Sequence, residues 1–234
     1  MKNKILVIAP HADDEILGCG GILKKANTCG IETIVVVVTN GHKGAPDMYS
    51  QNDVEATREE ALNAHKVLGI SETIFLDFPA PDLVNAQHFR ISVSLSKIIQ
   101  KIKPTQVYLP HPADLHSDHD VVYKSSLVAL RPYAAPFVRD IYCYETLSES
   151  EWYPFQGIPG FRPNVFVDIT KEIDAKCDAF SSFRSQIKEF PHSRSIEALR
   201  ALAAYRGSTV NVESAESFEL VRSSLRDGDL FVTN

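Results

Sequence analysis

A net basic charge, long apolar runs, paired cysteines and low-complexity tracts are all missing from this 234-residue sequence. Its formal net charge is −6, so it lacks the cationic face that phosphate backbones require, and nucleic acid is set aside as a partner. No stretch approaches the roughly 20 apolar residues of a membrane span. The N-terminal apolar run, Ile5 to Ile8, is too short for the core of a signal peptide and passes straight into charged residues. Cys19, Cys29, Cys143 and Cys177 are dispersed with no C-x-x-C pair. That excludes a disulfide frame and leaves ordinary reduced residues of a cytoplasmic protein, none of them a metal ligand. What the chain does have is 44% hydrophobic residues, enough for one substantial core.

Those residues recur as short β-branched runs between longer helical patterns. Strands are expected at 5–8, 33–38, 73–76, 106–109, 137–144 and 164–168, with strand-like alternation in 215–223. Helices are expected at 16–28, 53–68, 89–101, 121–130, 171–188 with Thr170 as N-cap, and 195–205. The segment 45–52 reads as a mobile connection, and 152–163 as an ordered loop near the pocket. Strand–helix alternation with short links implies parallel strands and right-handed crossovers. The fold class is therefore a three-layer α/β/α sandwich with a mostly parallel, Rossmann-like sheet. No linker or repeat divides the chain, and residues 1–234 are taken as a single domain.

Two polar clusters stand out against this pattern. The first strand stops at Pro10, and His11, Asp13, Asp14 and Glu15 follow at once, where open α/β sheets bind ligands. Carboxylates after a strand also cap helices; a histidine among them weakens that reading. The second cluster, His111 to His119, follows the fourth strand and holds three histidines and two aspartates in nine residues. His116 and His119 are spaced to share one side of a helix turn. Imidazole and carboxylate both bind zinc, and a His-Asp-His set leaves a position open for water, whose pKa a bound zinc lowers to about 7. Asp13 and His116 remain over to move protons and stabilise an oxyanion, as amide hydrolysis requires.

The pairing of Ala-Pro-His-Ala-Asp-Asp-Glu with His-Ser-Asp-His resembles the PIG-L (LmbE-like) family of zinc-dependent N-deacetylases. Ala12 and Ser117 stand where that family usually has proline. Further matching pieces run in the family's order: Thr39 to Gly41, Arg58 with Ala61, Ser185-Gln186, and Ala215-Glu216 with Phe218. The resemblance implies a Zn2+ ion (or another divalent metal) held by His11, Asp14 and His119. It implies Asp13 as general base and His116 as the group assisting the oxyanion and the leaving amine. Asp118 is then hydrogen-bonded to His116 as its orienter, which would raise that histidine's pKa, and Arg58 holds substrate. Removal of an N-acetyl group from an N-acetylglucosamine-type sugar conjugate is the implied reaction. The partner is a small-molecule amino-sugar conjugate, and a homo-oligomer stays open. His42, His111 and Asp114 are rim candidates without a role, and Cys19 is read as helix packing.

Other readings compete with this one. A dinucleotide fingerprint needs glycines in the first strand–helix turn and an acid after the second strand; Gly18, Gly20 and Gly21 come too late, and the second strand ends in Thr39-Asn40. A phosphate-ester or two-metal hydrolase would need a second ligand set. A metal-dependent amidase with a non-sugar substrate and a catalytically silent sugar-binding homologue are the alternatives left standing.

Overall fold

In the computed structural model, which describes residues 3–153 and 160–225, strand β1 (Lys4–Ala9) is buried from Ile5 onward. A strand with apolar residues on both faces needs cover on both, and that is what the layers supply. Ile5 and Val7 face a core shared with helices α1 (Asp14–Thr28), α3 (Gln51–Leu68), α6 (Ile173–Phe180) and α7 (Ile196–Ser208). Leu6 and Ile8 face the opposite core, closed by α4 (His88–Ile102) and α5 (Ser117–Ala129).

The remaining strands are β2 (Glu32–Asn40), β3 (Glu72–Pro79), β4 (Gln106–Pro110), β5 (Asp140–Tyr144), β6 (Val165–Asp168) and β7 (Ala215–Ser223). Their order is β3-β2-β1-β4-β5-β7-β6. The first five are parallel, while β7 runs antiparallel to both β5 and β6. The sandwich expected from the sequence is thus the observed fold. Order reverses between β1 and β4, and the crevice beyond their carboxyl ends is where such sheets bind ligands. Both polar clusters leave the sheet there.

Several boundaries differ from expectation, each for a local reason. The helix expected over 171–188 is only α6: Thr170 spends its hydroxyl on Asp168 at 2.6 Å, and Glu172 takes the cap position. Beyond Phe180, Ser181 bonds back to the Cys177 carbonyl and the chain turns away. Helix α5 starts earlier than expected because the imidazole of His116 caps it, accepting the Asp118 N–H. The fifth strand begins at Asp140, not at residue 137. Residues 45–50 form hydrogen-bonded turns, with the Met48 and Tyr49 N–H donating to the Ala45 carbonyl; before them Asn40 caps a helical turn, α2 (Gly41–Gly44), and after them Ser50 and Asp53 form a capping box on α3. Gly69 ends α3 in the left-handed conformation that glycine adopts without steric cost. Part of the loop expected over 152–163 lies outside the described residues. No described helix is long and apolar enough to cross a membrane.

Candidate active site

The end of β1 and the start of α5 bring His11, Asp14 and His119 together, with donor atoms within 4.8 Å of one another. Asp14 Oδ2 lies 3.3 Å from His11 Nδ1 and 3.3 Å from His119 Nε2. Ligand atoms placed at about 2.0–2.1 Å around a tetrahedral ion stand roughly 3.3 Å apart. Two buried atoms of the group, Asp14 Oδ1 and His119 Nε2, have no hydrogen-bond partner, a cost that a cation would remove. The residues therefore fit a divalent metal. Each imidazole is also steered from behind by a carboxylate. Asp114 Oδ2 is 2.7 Å from His119 Nδ1, leaving Nε2 for the ion, and Asp118 Oδ2 is 3.2 Å from His11 Nε2. Such outer carboxylates fix tautomer and ring orientation.

Without an ion the charges compensate one another. Burial works against the charged form of His11, yet its contacts with Asp118 and Asp14 raise its pKa to about 9. Burial likewise opposes charge on Asp14, but His119 and His11 hold it well below the usual carboxylate range.

Asp13 precedes α1 with φ 129 and ψ −28. A non-glycine residue held in so sparse a region costs about 1–3 kcal/mol and persists only where its surroundings enforce it. The twist separates two consecutive carboxylates: Asp14 joins the metal group, while Asp13 lines the pocket. Asp13 Oδ2 lies 3.0 Å from Arg194. Burial raises the Asp13 pKa to about 7; Arg194 opposes that rise, and Asp14 and Glu15 add to it.

His116 packs edge-on against His11, with ring centroids 4.5 Å apart. Here the expectation for Asp118 needs correction. Its carboxylate stays 3.9 Å from His116 Nδ1, which instead accepts the Asp118 backbone N–H at 3.2 Å. The expected rise in pKa is also reversed: burial and then the His11 charge push His116 down to about 4, outweighing Asp118. With Nδ1 an acceptor, neutral His116 carries its proton on Nε2.

Beside these groups opens a cavity of about 610 Å³ walled by β2, α3 and the loops after β3 and β5. Arg58 lines it, with its guanidinium 2.7 Å from Asp77 and stacked over Phe75, rather than paired with Glu55 or Glu59. Asn40 donates to the same Asp77 oxygen at 2.7 Å. Gln186 lines the wall too and accepts from Arg194 at 2.9 Å. Of the candidates without a role, Asp114 is the carboxylate behind His119. His111 faces Glu219 and the Phe161 ring, away from the metal group. His42 bonds the Tyr49 carbonyl. Cys19 is fully buried in the core. Arg194, Asp77 and Glu149, which lines the pocket 4.0 Å from Arg194, went unread in the sequence, since none stands in a dense polar cluster.

A profile of the PIG-L family, described as GlcNAc-PI de-N-acetylase, matches residues 6–130. The chain is 35% identical over 176 residues to the uncharacterized deacetylase YaiS of Escherichia coli strain K12, an alignment covering 73% of this chain and 84% of that one. It is 26% identical over 225 residues to the diacetylchitobiose deacetylase of Thermococcus kodakarensis, covering 94% and 83%. Among solved structures, the conserved protein TT1542 of Thermus thermophilus superposes with a TM-score of 0.75 at 27% identity, covering 95% of this chain and 96% of that one. Two polar clusters meeting at the switch point and these likenesses agree: the chain belongs to the PIG-L family of de-N-acetylases.

Proposed function

We propose that this protein hydrolyses the acetamide of an N-acetylglucosamine-type sugar conjugate with the help of a bound metal ion. One observation carries the reading: the His11, Asp14 and His119 group sits beside a pocket carboxylate, Asp13, whose pKa of about 7 suits proton transfer near neutrality. Two imidazoles and a carboxylate suit zinc. Held by those three residues, an ion would polarise the attacking water and stabilise the oxyanion charge.

The chain's own groups carry the rest. Asp13 takes a proton from the attacking water, whose oxygen bonds to the acetyl carbon. His116 donates its Nε2–H to the carbonyl oxygen as that oxygen gains charge. Asp13 passes its proton to the nitrogen as the C–N bond breaks, leaving a free amine and acetic acid, which ionises. Arg58 presents the rest of its guanidinium to the sugar. The cavity of about 610 Å³ falls within the roughly 300–1,000 Å³ of small-ligand sites, with room for a sugar ring and part of an aglycone. Four free cysteines, three of them buried, fit a cytoplasmic setting.

The reading is tested by acetate release from N-acetylglucosamine glycosides of varied aglycone. Metal-dependent release, absent in the stripped protein and reduced at least about 100-fold in Asp13→Ala, is expected. A metal-loaded protein that released nothing from any of them would overturn the sugar assignment.

A further inference from the structure

The chemistry above makes no use of a buried acid and a buried imidazole just behind the base. Glu15 is fully buried and His65 is 2% exposed. Glu15 Oε2 accepts the Asp13 N–H at 3.1 Å, and Glu15 Oε1 lies 2.9 Å from His65 Nε2. His65 Nδ1 is in turn 2.8 Å from the Thr73 hydroxyl on β3. A polar chain therefore runs from the sheet, through α3, to the backbone of the base.

Where the chain ends is informative. It meets the one backbone N–H of a residue held at φ 129, and that peptide decides which way the Asp13 carboxylate points. A carboxylate in the first turn of a helix is favoured in water as well, so helix stability alone does not call for burying one. Burial is costly unless both oxygens are engaged, and here one holds the Asp13 N–H while the other meets His65. His65 also stands two turns beyond Arg58 on α3, the helix that forms the pocket wall.

We infer that Glu15 and His65 are positioning residues for the deacetylation: they lock the Asp13 peptide in its left-handed conformation, which turns the Asp13 carboxylate away from Asp14 and into the pocket. By the same contacts α3 sets the base in register with the wall that holds the sugar. The kinetic part of this inference rests on the deacetylase reading; the conformational part does not.

The test compares Glu15→Ala, His65→Phe and Glu15→Gln with the parent in the zinc-loaded full chain. Readouts are kcat and KM on N,N′-diacetylchitobiose, zinc per chain, and the Asp13 backbone in crystals. Glu15→Ala and His65→Phe are expected to lower kcat about 10- to 100-fold, the usual size of an outer-contact loss at a metal site, with KM and zinc content little changed. Glu15→Gln keeps an oxygen for the Asp13 N–H and turns its amide NH2 to His65, which can accept it at Nε2 by moving its proton to Nδ1 and donating to Thr73; it is expected to recover kcat to within about threefold of the parent. In Glu15→Ala crystals Asp13 should leave positive φ and open its contact with Arg194. Parent-like kcat in Glu15→Ala, or Asp13 unmoved in both truncations, would overturn the inference. If Glu15→Ala does not fold, His65→Phe decides on the same readouts. If the parent itself shows no turnover, the deacetylase reading fails separately and the crystal readout alone decides the positioning role.

Discussion

Asp13 and Asp14 are chemically identical neighbours with opposite electrostatic fates, because different groups surround each. Asp14 is held ionised by two imidazoles, whereas Asp13 is raised to about 7 by burial. Asp13→Ala should therefore keep its metal and lose about 10²–10⁴-fold in kcat, the range of general acid–base catalysis; metal analysis beside turnover checks this. In the parent, activity should fall as pH drops and Asp13 takes up its proton. That limb lies below about 7, because a bound cation favours the carboxylate beyond what Arg194 already does. An acidic limb centred above pH 8 in the kcat/KM profile would contradict the assignment. Removing the carboxylate behind His119, in Asp114→Ala, should weaken metal binding about 10- to 100-fold, read by competition with a chelator. That His11, Asp14 and His119 would come together was legible because polar density after an apolar strand is rare. The partner of Asp118 was not: nearness in sequence to His116 suggested a local bond, and the fold turned the carboxylate to His11, 107 positions away. Arg194 was invisible for the same reason, since only tertiary packing brings it to Asp13.

Helix α1 begins inside the site and must approach the sheet closely to place Asp14. Gly18 makes that approach possible: a Cβ there would collide with the Tyr144 ring of β5. Overpacking of this kind costs typically about 1–3 kcal/mol, so Gly18→Ala should lower the melting temperature and, by shifting α1, weaken metal binding as well. A thermal melt with a metal titration tests both, and an unchanged melt would show that Tyr144 yields easily. At this scale the sequence was legible wherever period and punctuation agree. Helix α3 is an example: expected over 53–68, it ends at Leu68 before Gly69, and it starts two residues early because Ser50 caps it. On that helix Val54 lines the pocket, while Ala61, Ala64 and Leu68 face the core. Helix α6 was overread because a helical pattern continues past Phe180, whereas Ser181 and the turns after it compete for the backbone.

For the molecule as a whole, metal and protons contend for the same imidazoles. In the stripped protein His11 has a folded pKa of about 9 against an ordinary 6.5. Its stabilising contribution is therefore complete below 6.5 and is lost as pH rises through about 9. A bound ion needs neutral imidazole, so loading reverses the dependence. Melting temperatures at pH 6.5 and 9.5 should fall for the stripped protein and hold or rise for the loaded one; parallel curves would count against His11 as a ligand. Five parallel strands were foreseeable from repeated apolar runs. The insertion of β7 between β5 and β6 was not, because antiparallel pairing of the C-terminal strand depends on contacts that no local pattern encodes.

The reversal of strand order between β1 and β4 has a mechanical side. Three residues of β1 are in register with β4, against six with β2, so the seam where the winding changes direction is the sparsely stitched one. His11 and Asp14 hang from one side of it and His119 from the other. An ion shared among them would rivet the two halves of the sheet at their mouth, so the clasp proposed for the chemistry would also keep the seam from spreading.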